Sequence, residues 1–468
     1  MQLTSTHSGT APARRPSPIT GRSHAGGRLA TASVVALAAI TSLAACTPPG
    51  PTTTGAPSAP SEISTELTTE DVVLDVYVDT VFVEPLKPLT DEFTKQHPNV
   101  TFDVKADEFT NVMQNGQKVI SSPDAPDLVR YPTVATAAKN GILANLQPYA
   151  EAYGWTEWPE GMLAQVKVDS DGNRGSGDLY SLGIGYSVTG VYYNKELAAQ
   201  IGMEELPQTV ADFEPLLEQA KAAGILPIQA WGKDGGTAYP LQSLMHQFGE
   251  NDELKQWLFQ KPDATIDLDS TVKAAGIIQD WARKGYFPSD VNAVDYTAGV
   301  GRFESGEGLF MFNGDWEAVN AYKKMGENVG FFLMPGNEPS APHYAMQAPV
   351  TFVIPKTADN PDVTAYFLNW IHTDETARQL VLESTGQSPG GPADLPQPTP
   401  VNDLQADTTA AFATVSEDDG AMDFIANATA GIYATSLIPN LQLLLSERST
   451  PEEFAAALQA DYEAELGR

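Results

Sequence analysis

The 468 residues contain a single cysteine, Cys46. Internal disulfides and cysteine-cluster metal sites are therefore excluded. Histidine is also scarce. Two of the six, His7 and His24, precede the cysteine, and His97, His246, His343 and His372 are widely scattered. No His-Glu-x-x-His pair and no Walker A loop occurs, so neither the zinc-protease nor the nucleotide-hydrolysing pattern is present. No Ser-His-Asp set of the Gly-x-Ser-x-Gly type is expected. Basic side chains are few: 27 against 60 acids, for a formal charge of −33. Four of the bases (Arg14, Arg15, Arg22, Arg28) fall in residues 1–45, which hold no acid, so the remainder sets 23 bases against 60 acids. Such a field repels nucleic acid and anionic lipid and favours solubility outside the cell. It does not define a ligand. A hydrophobic fraction of 42% and an aromatic fraction of 9% suit a well-cored globular body, long enough for two domains.

The one long apolar run is Leu29–Ala45, uncharged and alanine-rich, behind a basic segment. This is the order of a secretion signal, a positive region followed by an apolar one. Its 17 residues sit at the lower limit of a membrane span, which leaves a transmembrane anchor as an alternative. The run ends in Leu43-Ala44-Ala45-Cys46, which resembles the bacterial lipobox. That likeness implies cleavage before Cys46, acylation of its thiol, and a lipid anchor on the outer face of the cell membrane. A chance cysteine behind an ordinary signal is the plainer reading. The following Thr/Pro/Ser/Gly-rich stretch lacks apolar periodicity and reads as a flexible spacer. Expected boundaries are a signal at 1–45, a tether at 46–70 and a folded body from Asp71.

In the body, Val72, Leu74, Val76 and Val78 alternate with less apolar neighbours and predict a strand. A helix is expected over 85–97, a strand at Val100–Val104, a helix over 108–120 and a strand at Asp127–Tyr131. This β-α-β-α-β order implies a parallel sheet with right-handed crossovers. Residues 163–185 read as a hairpin. A calcium loop is the sharper alternative, since Asp169, Asp171 and Asn173 have ligand spacing, but Arg174 and Tyr180 stand where glycine and glutamate are needed. Further helices are expected over 209–224, where Thr209 and Asp212 make a cap, and near 240–248, 251–259, 270–285, 361–373, 421–445 and 450–466. Short strands are expected at 308–312 and 350–354.

Three segments in register carry a family likeness. They are Thr189–Leu197 (TGVYYNKEL) with Leu206-Pro207-Gln208-Thr209, then Phe303–Trp316 (FESGEGLFMFNGDW), then Asn360-Pro361-Asp362 followed by Phe367–Ile371 and Thr376–Arg378. Together they resemble the extracellular solute-binding proteins of ABC importers, in particular the carbohydrate, maltose-binding type, over roughly 71–468. The resemblance implies an α/β, periplasmic-binding-protein-like fold: two lobes, three hinge crossings and a central cleft. It sets crossings near Gly183–Val188, His343–Ala348 and Gly386–Gly391. Lobe 1 is then 71–185 plus 346–388, and lobe 2 is 186–343 plus 392–468. Open α/β sheets also bind ligands beyond the carboxyl ends of their strands.

A sugar offers ring faces to aromatic plates and hydroxyls to planar polar groups. Residues of those kinds near strand ends and hinges are Trp316, Tyr131, Trp231, Asp315, Asp79, Tyr186, Arg130, Ser187 and Gln347. Trp316 follows the family's Gly-x-Trp motif; Asp315 can equally be a helix cap. Arg130-Tyr131 and Tyr186-Ser187 stand where the family often has carboxylates, which leaves the sugar and its charge open. The expected protein is a monomeric binding protein, not an enzyme. It needs no cofactor or metal, and its partners are a carbohydrate, an ABC permease with its ATPase, and the membrane through the lipid. The rivals are a secreted carbohydrate hydrolase using a carboxylate pair across the cleft, and a structural or adhesive lipoprotein.

Overall fold

A computed structural model describes residues 63–468. The expected leader, the expected lipidation of Cys46 and the expected tether as far as residue 62 lie outside the described residues. Among the described residues no helix is long and apolar enough to cross a membrane. The end of the expected tether lies along the body: Ile63 and Leu67 pack on a core cluster, and Asn99 Nδ2 donates to the carbonyls of Thr68 and Glu70.

The strands are β1 (Val72–Asp79), β2 (Val100–Asp107), β3 (Leu128–Arg130), β4 (Lys167–Val168), β5 (Asp178–Leu179), β6 (Leu182–Asn194), β7 (Phe310–Gly314), β8 (Val329–Phe332), β9 (Ala345–Val353) and β10 (Ala421–Met422). One sheet runs β2-β1-β3-β9-β6-β7, with β8 also on β6 and β10 also on β9. The first three strands are parallel, as their alternating pattern and intervening helices α1 (Val83–Gln96) and α2 (Phe109–Ile120) predict. β9 is antiparallel to both β3 and β6.

Two strands are shared by both halves of this sheet. β6 pairs through Leu182–Val188 with β9, and then through Thr189–Asn194 with β7 and β8. β9 meets β3 at one end and β10 at the other. Ser388 adds a bridge to Tyr186. Each half is closed over its own apolar cluster. One joins Leu74, Leu86, Phe93, Trp155, Phe352 and Phe367; the other joins Phe213, Ile228, Trp257, Trp281, Phe310 and Leu441. Burial of these faces supplies the main drive to fold, at about 25 cal/mol per Å².

Local signals act as predicted where chemistry is strong. Thr209 caps the helix Val210–Ala222 by accepting from the Asp212 N–H at 3.2 Å, and Pro361 opens the helix Pro361–Thr373. β4 and β5 form the expected hairpin. In its loop the Asp169 carboxylate accepts from the N–H groups of Asp171 and Asn173, a local side-chain turn. The single helix expected over 421–445 is instead β10, a short turn at Ile425–Asn427, a π turn at Tyr433–Leu437 and a helix at Ile438–Leu445. Asn427, Thr429 and Gly431 interrupt it, with the Thr429 hydroxyl and Gly431 N–H bonded to Glu465 instead of to helix carbonyls.

Candidate functional site

The carboxyl ends of β1 and β3 deliver Asp79 and Arg130. Asp79 is 2% exposed, and its Oδ2 lies 3.7 Å from Arg130 Nε, a charge contact too long for a hydrogen bond. Neither of these two atoms has a hydrogen-bond partner among the described residues. Arg130 does anchor itself, donating from Nη1 to the Thr351 carbonyl at 3.1 Å. Its guanidinium also lies 5.9 Å from the ring centres of both Phe82 and Phe109. Burial raises the Asp79 carboxyl, with Arg130 opposing. Burial lowers Arg130, with Asp79 and Asp423 opposing.

A wall of aromatic rings meets this pair at Phe109. Trp316 follows β7, and its indole lies over Gly314, where a Cβ would come within 2.0 Å of the ring. Trp316 meets Tyr239 at 5.9 Å, Tyr239 stacks on Phe424 at 5.2 Å and 12°, and Phe424 meets Tyr433 at 5.8 Å. Tyr433 then touches Phe109 of α2 at 5.9 Å. Burial, followed by the charges of Glu317 and Asp79, pushes the Tyr239 phenol up. Trp316 is half-buried, whereas Trp155, Trp158, Trp231, Trp257, Trp281 and Trp370 are all buried.

At the junction of β6 with β7, Asp315 is 1% exposed. Its Oδ2 accepts from the Val188 N–H at 3.1 Å, and its Oδ1 has no partner among the described residues. Burial holds this carboxyl well above its ordinary range. Asp315 therefore ties β7 to β6 and makes no side-chain cap on its own turn. Beside it Ser187 Oγ accepts from Gln387 Nε2 at 3.1 Å. Tyr186 is buried, its ring against Gly390 and its hydroxyl unpartnered among the described residues.

The nine predicted residues thus separate. Asp79 and Arg130 form one buried pair, and Trp316 begins the row of rings that reaches Arg130 through Phe109. Asp315, Ser187 and Tyr186 line the strand junction. Tyr131 is fully buried: its ring packs on Gly116 of α2, where a Cβ would lie 2.5 Å away. Trp231, 1% exposed, stands edge-on to Tyr239 and Tyr296 and backs the wall from the core. Gln347 gives its amide to Phe412 O and Ser416 Oγ, a structural tie. Sequence reasoning missed Tyr239, Phe424, Tyr433, Phe82 and Phe109. A signal existed for one of them: Asp423-Phe424 follows β10 just as Asp315-Trp316 follows β7.

One Gly-x-Ser-x-Gly does occur, at Gly386–Gly390. Ser388 sits there in a bridge to Tyr186. Both ring nitrogens of nearby His372 face carbonyl oxygens, of Pro389 and Gly183, at 2.6 Å. Neither nitrogen is directed to a serine, as a nucleophile's base must be.

The family described as bacterial extracellular solute-binding protein matches residues 80–378. A probable sugar-binding periplasmic protein of Mesorhizobium japonicum is 25% identical over 221 residues, 47% of this chain and 51% of its own length. A multiple sugar-binding protein of Streptococcus mutans is 27% identical over 171 residues, 34% of this chain and 39% of its own. The chain thus spans about half or less of the length of these curated relatives. A solved chitin oligosaccharide binding protein superposes with a TM-score of 0.70 at 20% identity, covering 85% of this chain and 100% of the other. That likeness shows a shared fold, with two α/β lobes about a cleft.

Proposed function

The chain belongs to the bacterial extracellular solute-binding protein family, and from that premise we propose that it captures a sugar or oligosaccharide outside the cell and delivers it to an ABC permease. The lobes are 71–185 with 346–388, and 186–343 with 392–468, hinged on β6, β9 and the Ser388 bridge. Closure brings Asp79 and Arg130 against one side of the ligand and the Trp316–Tyr239–Phe424 wall against the other. A ligand that touches both sides favours the closed form by that difference in affinity.

The observation that carries this reading is the meeting of two kinds of surface. Asp79 Oδ2 and Arg130 Nε are buried polar atoms without partners among the described residues, and the row of rings that begins at half-buried Trp316 runs to Phe109, beside the Arg130 guanidinium. Leaving such atoms unpaired costs about 1–3 kcal/mol each. Hydroxyl groups satisfy them, and sugar C–H faces match the rings. The lipobox-like Cys46 supports a lipid-anchored, extracytoplasmic location, with the tether holding a monomeric body near its permease. The hydrolase rival finds no support in the family matched.

The test is a thermal-shift screen of the purified body against mono- and oligosaccharides, with product analysis of each mixture. One sugar should raise the melting temperature and emerge unchanged. Turnover of that sugar, or no stabilisation by any, contradicts the proposal.

A further inference from the structure

The aromatic wall rests on a chain of hydrogen bonds. Trp316 Nε1–H donates to the Tyr296 hydroxyl at 2.7 Å. That hydroxyl donates to Glu317 Oε1. Glu317 Oε2 in turn accepts from Asn320 Nδ2 at 3.4 Å. Asp315–Glu317 is a single tight turn, so neighbouring side chains diverge: Trp316 is half-buried, while Glu317 is 3% exposed. Tyr296 starts the helix Tyr296–Glu304, and its ring is fixed edge-on against Trp231 at 5.1 Å.

Burying a carboxyl costs stability that an apolar side chain of similar size does not. What the carboxyl secures here is direction. A tyrosine hydroxyl accepts one hydrogen bond while donating another. With its own proton held by Glu317, its lone pair is turned to the indole N–H. The second torsion of tryptophan is broad and roughly two-fold. The bond at Nε1 selects one orientation of the ring plane before any ligand arrives, which is preorganisation.

We propose that Tyr296 and Glu317 are positioning residues for Trp316: they hold the ligand-stacking plane in place and so set affinity without touching the ligand. The inference rests on Trp316 being the stacking residue. The titratable groups facing Glu317 are the phenols of Tyr296, Tyr192 and Tyr239 and the carboxyl of Glu304.

The experiment uses the full mature chain labelled with 15N. The Trp316 indole signal is identified by its loss in Trp316→Phe. Without ligand, Tyr296→Phe and Glu317→Leu should displace that signal, while Glu317→Gln, which keeps an acceptor, should leave it near its place. In the parent protein the signal should move as pH passes through neutrality. The movement should vanish in Glu317→Gln and persist in Glu304→Gln. Affinity is then read with maltotriose, raffinose and chitobiose as probes. Tyr296→Phe and Glu317→Leu should weaken the best probe about tenfold, and Glu317→Gln less than twofold. An indole signal and an affinity both unmoved in Tyr296→Phe would overturn the positioning role. Failure of the parent protein to bind any of the three, with the indole shifts present, would overturn the stacking role of Trp316 and leave the hydrogen-bond chain intact.

Discussion

Arg174 Nη2 donates to Asp423 Oδ2 in a buried ion pair that joins segments 249 residues apart. Arg174 stands on the β4–β5 loop, and Asp423 immediately precedes Phe424 of the aromatic wall. The guanidinium also donates to the Gln165 carbonyl at 2.8 Å and lies 5.4 Å from the Phe259 ring centre. The position that spoils a calcium loop thus fastens the hairpin to the segment that carries Phe424. Removing one member of such a pair leaves the other charge buried and alone, at a cost of about 3–5 kcal/mol. Arg174→Ala should lose that much stability by urea denaturation. Arg174→Met, which keeps volume but not charge, should be improved by adding Asp423→Leu. Purely additive effects in this double-mutant cycle would contradict the pairing.

Trp316→Ala should weaken sugar binding by about 2 kcal/mol, some thirtyfold, as truncation of an interfacial aromatic does. The melting temperature without ligand should fall less than for a fully buried tryptophan, because the side chain is only half-buried. Calorimetric titration checks the first and a thermal scan the second. Trp231→Ala should do the reverse in emphasis, destabilising the fold by about 3–5 kcal/mol as a buried tryptophan does.

Glu317 is pushed up to about 7 from 4.5 by burial, with the bonds from Tyr296 and Asn320 opposing. A group whose folded pKa is raised holds its proton more tightly in the native state. The stability it adds is fully present below 4.5 and is lost as pH rises through about 7. The parent protein should therefore lose about 3 kcal/mol from this group between those limits. Asp315, also raised by burial, acts with the same sign. Subtracting the denaturation profile of Glu317→Gln isolates the Glu317 share. A parent and variant that run parallel from pH 5 to 8 would contradict the assignment.

Gly390 has a φ of +65°, and a Cβ there would meet the Tyr186 ring at 2.3 Å. Gly390→Ala combines a left-handed backbone with a clash beside the strand junction. It should cost about 2 kcal/mol or more, read from the urea midpoint.

The strands of the first half were legible because alternation is a local signal. Val72–Val78 and Val100–Val104 declare themselves, and the helices between them force parallel pairing. The motif ending in Trp316 located the half-buried tryptophan at the end of β7. Other features depend on distant partners. Nothing near Tyr131 foretells that its ring will lie on Gly116, and nothing near Gln347 foretells Ser416. Tyr239 and Phe424 are 185 residues apart and become one stacked surface only when the fold closes. The helix Asp403–Glu417 escaped prediction because its threonines and alanines give a weak apolar stripe.

The most direct test of the central claim is calorimetric titration of the mature protein with the sugar that stabilises it most, in parallel with Asp79→Asn and Trp316→Ala. The account predicts one site per chain, binding weakened by each substitution on its own side of the cleft, and sugar recovered intact. Binding that survives both substitutions unchanged would contradict it.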